Sequence, residues 1–517
     1  MKRRTARRRM EINLEELDGI LDRSTTAPLS KAESQKLKAA LHALADRIVQ
    51  NRSTEKTKSV LPEQEPAVGS PATETSGDSK VAILCGHGRN GAAAFAGAVR
   101  VFVPHATLQA GHACPECGQG KVYRQKDPAT LVRIVGHAPL QTTVFEMDRL
   151  RCNACGQVFT AAAPEAAGHE KYHATAIAMI ALLKYGTGVP FKRLERLEGQ
   201  LAMPLPAATQ WELMAAATKV VWPTLQALTW LAAQGGILHN DDTGMRVLRL
   251  TREPGDTRTG VFTSGIVSIV GAYKIALFFT GAKHAGENIA EVLKQRAREL
   301  PAPIQMCDAL ARNVPKPAGV KTLLANCLAH GRRQIVEVAE NFPEQCRYVL
   351  ETLGSVYHND GVARDQKLST EERMLFHQER SGPLLDKLKG WLTAQFAQHH
   401  VEPNSGLGKA FSYLLNHWAK LTLFLSQPGA PLDNNIVERA LKKAILNRRN
   451  ALFYRTLNGA AVGDLFMSLI HTCELNGVNP FEYLTALLRH PEEIKQSASA
   501  WLPWNYHQAV YRIPPAA

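Results

Sequence analysis

Apolar positions follow a helical period in some stretches of the chain and a strand-like one in others, and the switches between them mark its divisions. Over 29–50, Leu37, Leu41, Leu44 and Ile48 fall at helical spacing behind Ser30 and Glu33, a capping-box pair, so this segment predicts one amphipathic helix. Its stripe suits either a short coiled coil with a second copy or packing within its own chain. Residues 51–80 lack aromatics and are rich in Ser, Thr, Glu, Pro and Gly, the composition of a linker. From 169 to 218 the helical period returns in pieces. His173 to Tyr185 is broken at Gly186-Thr187-Gly188-Val189-Pro190, Phe191 to about Gly199 follows, and a third helix starts near Pro206 with Thr209, Gln210 and Trp211. Short helices joined by Gly-containing turns fit a helix-turn-helix whose third helix, through Thr209 and Gln210, enters a major groove; they also fit a helical hairpin that only packs.

Between 236 and 330 the pattern turns strand-like. Ile237-Leu238-His239 runs into acids, and Val261 to Ile269 and Ile275 to Thr280 are β-branched or aromatic. A helical run over roughly Gly286 to Leu300 then precedes a short strand, Pro303 to Cys307, that stops at Asp308. Three strands, a helix and a further strand, with carboxylates at the edge of the first and last, is the order of an RNase H-like fold. Residues 331–430 are largely helical and interrupt it, and 431–490 close it. The chain is therefore expected to be multidomain α+β. Its parts are a basic N-terminus and leucine helix (1–50), a linker (51–80), a cysteine module (81–165), a helix-turn-helix region (166–234), an α/β catalytic core with a helical insertion, and a tail (491–517).

Composition sharpens this division. At 517 residues the chain exceeds one hydrophobic core, and a net charge of +14 favours a polyanionic partner such as DNA. The N-terminal Lys2-Arg3-Arg4 and Arg7-Arg8-Arg9 run directly into Glu11, Glu15 and Glu16 with no apolar core, unlike a signal peptide. The most apolar stretch, 259–282, is broken by Gly271, Lys274 and Gly281 and reads as paired strands, with no membrane partner expected. A cytoplasmic, nucleoid-associated protein is the expectation.

Nine cysteines, an odd number with four in Cys-x-x-Cys pairs, suit metal ligation in a reducing compartment. Cys114/Cys117 and Cys152/Cys155 suit the two knuckles of a zinc ribbon, each pair followed by a glycine, Gly118 or Gly156, that lets the backbone turn around a structural Zn2+. A redox pair is the other reading of such spacing. The preceding Gly86-His87-Gly88-Arg89-Asn90-Gly91 matches no dinucleotide loop and is expected to be a plain loop.

Three widely spaced carboxylates stand in distinctive settings: His239-Asn240-Asp241-Asp242-Thr243, Met306-Cys307-Asp308-Ala309 and Asp433-Asn434-Asn435-Ile436-Val437-Glu438-Arg439. Phosphodiester cleavage and rejoining suits two divalent ions about 4 Å apart, and hard cations of this kind take carboxylate oxygen. Asp241 and Asp308 on adjacent strands, with Glu438 on a helix, are the expected ligands of two Mg2+ or Mn2+ ions. Each acid also has a local role open to it. Asp241 or Asp242 suits a turn cap, Asp308 an N-cap, and Glu438 a capping box with Asn435. Arg439, Arg448 and Arg449 are placed to neutralise DNA phosphates; Lys442, Lys443 and Arg455 equally suit a solvated face.

These residues carry a resemblance to the IS66 family of bacterial insertion-sequence transposases, the large TnpC-type protein. It extends over nearly the whole chain. Its most specific stretch is Asp433-Asn434-Asn435 to Glu438-Arg439, continuing through Arg448-Arg449-Asn450-Ala451-Leu452-Phe453. Cys327-Leu328-Ala329-His330-Gly331-Arg332-Arg333, Asn476-Gly477-Val478-Asn479-Pro480 and the terminal Pro503-Trp504-Asn505 add to it. The resemblance implies a DDE triad of Asp241, Asp308 and Glu438, with His330 of the Cys-x-x-His signature either at the scissile phosphate or water, or packed inside. It implies binding of terminal inverted repeats, strand cleavage and strand transfer by a dimer or higher oligomer, and two small accessory proteins. The chain departs from the family in carrying Asp242 where Glu is usual. A structure-selective nuclease and a non-catalytic DNA-binding repressor are the other functions such a chain could serve.

Overall fold

The computed structural model describes residues 102–124, 138–153, 155, 157–168, 170–250, 258–315 and 321–512. The N-terminal helix expected over 29–50, the linker and the glycine-rich loop at 86–91 lie outside them. The chain divides into two compact units, residues 64–141 and the remainder.

In the first unit Cys114 and Cys117 sit on a tight turn. Cys114 N donates to Gly120 O at 2.7 Å and Gly118 N to Cys114 O at 2.8 Å, with Gly118 at φ +65°, a conformation glycine adopts without strain. The other pair, in the second unit, lies in a hairpin of β1 (Arg149–Arg151) and β2 (Val158–Thr160), where Cys152 N donates to Gln157 O at 2.9 Å.

The second unit then continues as helices α1 (Ala174–Ala181), α2 (Phe191–Gln200) and α3 (Ala207–Ala233). The third is 27 residues long and keeps going through Pro223. Met214, Ala217, Val221, Leu228 and Ala232 form one buried stripe along it. That stripe holds it to the sheet, where Ser268 Oγ donates to Ala232 O at 2.7 Å.

The strands are β3 (Ile237–Gly244), β4 (Val247–Arg249), β5 (Phe262–Val270), β6 (Tyr273–Gly281), β7 (Ile304–Cys307), β8 (Leu323–Asn326) and β9 (Tyr454–Thr456). Five of them form one sheet in the order β6-β5-β3-β7-β8. The β6, β5 and β3 strands are antiparallel, whereas β3, β7 and β8 are parallel. The β4 and β9 strands pair separately. Helix α4 (Ala285–Leu293) links β6 to β7 and is shorter than the run to Leu300 that periodicity suggested.

Five longer helices follow β8: α5 (Leu328–Val338), α6 (Pro343–Asp365), α7 (Thr370–Arg380), α8 (Gly382–Ala397) and α9 (Gly406–Asn416). They bury Leu350, Leu353, Leu385, Leu388, Phe411 and Leu414 in a core continuous with Ile304, Met306 and Ala325 of the sheet. This excursion leaves and rejoins at one place, since Leu328 N donates to Leu432 O at 2.9 Å. A loop closed at its own base adds helices without parting the strands around it.

The chain then forms α10 (Asn435–Ala451), β9, α11 (Leu457–Leu475) and α12 (Pro480–Arg489). Helix α11 covers the open edge of β6. Asn476 Oδ1, Thr472 Oγ1, Ser468 Oγ and Asp464 Oδ2 accept from the backbone N–H groups of Lys274, Ala276, Phe278 and Thr280 at 2.6–3.1 Å. Four helical residues rise about 6 Å and two strand residues about 6.6 Å, so the two ladders stay in step. Among the described residues no helix is long and apolar enough to cross a membrane.

Candidate active site

Strand register gathers the acidic positions. Residue His239 of β3 is level with Met306 of β7, and carrying that register on by two residues sets Asp241 level with Asp308. The pairing of Cys307 with Asn326 likewise sets Asp308 level with Cys327. In-register residues of adjacent strands project from the same face. On its other side Asp241 pairs with Gly265, where an added Cβ would lie 3.0 Å from Leu441 and 3.2 Å from Val437 of α10. Glycine at this point lets α10 lie close on the sheet, so Asp241, Asp308 and Cys327 all rise toward that helix.

A single residue, Asn434, pins the start of α10. Its Oδ1 lies 3.1 Å from His239 Nδ1, its Nδ2 donates to Asn240 O at 3.1 Å, and its backbone N to Cys327 Sγ at 3.2 Å. Burial pushes His239 down to about 4, so its ring is neutral in this contact. Glu438 stands one turn further on. Asn434 is the N-cap and makes no side-chain cap bond, so the capping box possible between Asn435 and Glu438 is not formed. The Glu438 carboxylate instead faces α5, with His330 Nδ1 at 3.6 Å and Arg333 at 3.7 Å. These are ion-pair distances without a hydrogen bond, and both Glu438 Oε1 and His330 Nδ1 are buried with no hydrogen-bond partner. One atom each from Cys327, His330 and Glu438 lies within 4.8 Å of the others, an arrangement able to hold a metal ion.

The other two acids share one donor. Nδ2 of Asn313 reaches Asp241 Oδ1 at 3.1 Å and Asp308 Oδ1 at 2.6 Å. Asn313 is fully buried, and its carbonyl accepts from Asn240 and Gln305. Its turn approaches α4 closely: a Cβ on Gly286 would lie 2.5 Å from Val314 O, so only glycine fits there. Burial lifts Asp241 to about 7, and the nearby Asp308 and Asp242 charges push the same way; the Asp242 N–H and the Asn313 amide oppose. Two carboxylates drawn to one amide form an oxygen pair suited to a hard divalent cation, while Glu438 is grouped with Cys327 and His330. The neighbouring Asp242 points elsewhere, its carboxylate meeting His284 at 2.7 Å and Arg312 at 3.4 Å.

Other sequence candidates are placed differently. Gln210 is fully buried and its amide donates to Phe191 O and Leu205 O, so it braces the start of α3 and cannot face a duplex. Thr209 beside it is half-buried. Arg448 Nη1 donates to Gly244 O and Thr243 Oγ1 at the end of β3. Arg439 and Arg449 are exposed. Sequence reasoning missed Asn313 altogether and marked Asn434 only as part of a motif, without its role in joining α10 to β3.

The chain matches the family model described as "Transposase IS66 family" over residues 169–462 and that of the "IS66 C-terminal element" over 468–504. It is 34% identical over 203 residues to the uncharacterized protein y4jD of Sinorhizobium fredii, covering 38% of this chain and 39% of that one. It is 31% identical over 202 residues to y4hP of the same organism, covering 37% and 36%. The chain thus spans under two fifths of the length of the curated relatives it matches.

Proposed function

Because the chain belongs to the IS66 family of transposases, we propose that it is a DDE-type DNA transposase that binds the terminal inverted repeats of a bacterial insertion sequence and cuts and joins DNA strands. The observation carrying this is the shared face of Asp241, Asp308 and the Glu438 helix. A sheet ordered β6-β5-β3-β7-β8, with acids on β3, after β7 and on a following helix, supports an RNase H-like core.

Asp241, Asp308 and Glu438 would hold two Mg2+ or Mn2+ ions, which when bound stabilise the attacking and leaving oxygens of a phosphodiester. The residues around them keep this set in place. Asn313 holds the two strand acids together, Asn434 fixes the helix that brings the third, and Asp242 anchors the turn through His284 and Arg312. His330, with Nδ1 toward Glu438, presents its ring to the same space and orients a water or a phosphate oxygen. Arg439 and Arg449 contact phosphates. Cys114 and Cys117, with Cys152 and Cys155, are the residues that would ligate a structural zinc, and the helical region 166–234 contributes to repeat recognition without Gln210. The protein works in the bacterial cytoplasm as a dimer or larger assembly, with small accessory proteins.

The test is cleavage and strand transfer on labelled element-end DNA with Mg2+, comparing wild type with Glu438→Ala. Nicked and joined products from wild type alone are expected. Cutting without joining would turn the reading to a nuclease, and binding without cutting to a repressor.

A further inference from the structure

The stretch Arg448-Arg449-Asn450-Ala451-Leu452-Phe453 continues α10 beyond the acidic site and ends in an unusual conformation. Leu452 has φ +69°, strained for a branched side chain, and is 65% exposed; Phe453 is 38% exposed. Exposed apolar side chains on a strained turn incur a double cost that a purely structural link would avoid. Directly beside them opens a cavity of about 830 Å³, the size of a small-molecule site.

The walls are of two kinds. Phe191, Trp211 and Phe453 supply ring faces, and Lys184, Arg249 and Arg455 supply cations, with no carboxylate among the lining residues. Lys184 is buried and its ammonium is held by Asn447 Oδ1 at 2.9 Å. Burial pushes its pKa down to about 8, and a neighbouring anion would raise it again. Among the described residues Arg249 and Arg455 form no ion pair, and both are exposed. Aromatic faces with unpaired cations suit a planar base on a phosphate backbone. A metabolite with the same groups would need no tie to the acids, yet here the tie is direct. Glu438 lies on α10 and Leu452 caps its end, fourteen residues or about 20 Å apart along its axis, roughly six base-pair steps.

We propose that this cavity receives one unstacked nucleotide of the DNA processed at the acidic site, its base against Trp211 and Phe453, its phosphates on Arg249 and Arg455. Leu452 then fills the step the base has left, as apolar wedges do at kinked duplexes. The proposal rests on the transposase reading and adds a second point of grip to it.

The test uses the full chain and two fluorescent probes in binding titrations: a blunt duplex, and the same duplex with a three-nucleotide single-stranded tail. Wild type is expected to bind the tailed probe at least about fivefold more tightly, the lower end of what base stacking gives. Phe453→Ala and Arg455→Gln, both at exposed positions, should each remove that preference while leaving blunt-duplex affinity within about twofold. Photo-cross-linking from 5-iodouracil in the tail should label peptides holding Trp211 or Phe453. Equal binding of the two probes by wild type, a preference that survives both variants, equal loss on both probes, or cross-links elsewhere would each overturn the proposal while leaving the DNA-processing reading standing. Failure of wild type to bind either probe would instead sink that reading.

Discussion

The acidic site should be held together at a cost to the fold, and Asp241→Asn measures that cost. In the folded chain Asp241 is lifted to about 7, against an ordinary carboxylate near 3.8. A raised pKa means the folded state binds the proton more tightly. Its contribution to stability is therefore present in full below about pH 4 and is lost as pH rises through about 7. The gap corresponds to at most about 4 kcal/mol; allowing for partial solvation, roughly 2–4 kcal/mol is expected. Asparagine keeps the shape, and its Oδ1 can still accept from Asp242 N and Asn313 Nδ2, now at 2.8 and 3.1 Å from the carboxylate. The variant should thus be more stable than wild type by roughly 2–4 kcal/mol at pH 8 and nearly equal to it at pH 4, while losing cleavage. Urea unfolding of both proteins at the two pH values, in EDTA, reads this directly. Added Mg2+ should stabilise wild type at pH 8 and the variant much less. Destabilisation of the variant at pH 8 would refute the reasoning, since it would mean that the carboxylate is stabilised as an anion by its surroundings. Asp464, also lifted to about 7 by burial, titrates in both proteins and cancels in the comparison.

Three further outcomes are expected. Asn434→Ala leaves His239 and the Asn240 carbonyl without their partner, so it should cost about 2–4 kcal/mol in urea unfolding and lower cleavage as α10 loosens. His330→Gln should slow single-turnover strand cleavage by about a hundredfold or more while leaving DNA affinity within about twofold, whereas a purely packing histidine would alter stability and spare the rate. Cys114→Ser with Cys117→Ser should abolish the zinc content measured by atomic emission, wild type carrying about one ion per chain; retained zinc would place the metal on other residues.

Asp241 and Asp308 were legible as positions on one sheet face because each stands where a hydrophobic run stops, and such stops read well in one dimension. What surrounds them was not. Asn313 reaches Asp241 and Asp308 from a short turn whose position depends on Gly286 of another element. Asn434 joins β3, β8 and α10, which are far apart in sequence. Nor could spacing choose between Asp241 and Asp242; alternation along β3 and the pairing with Gly265 decide which one rises toward α10. The polar start of α3 misled in the opposite direction. Gln210 looks like a surface reader by residue type, yet its amide donates to the Leu205 carbonyl of the preceding turn and to the Phe191 carbonyl at the start of α2. Polar character says what a side chain can bond, and only the fold says whether water, DNA or backbone takes the bond.

The side-chain rungs between α11 and β6 bear on how this family's sequences can be divided. The two matched segments meet inside α11, one ending at 462 and the other beginning at 468. Asp464 lies in the gap between them, and Ser468 and Thr472 lie in the second. A chain cut between the segments would leave a row of bare amides along β6, open to pairing with any exposed strand. The second segment is therefore less an appendage than the selvedge of the sheet, and the two should be inherited, swapped and expressed only together.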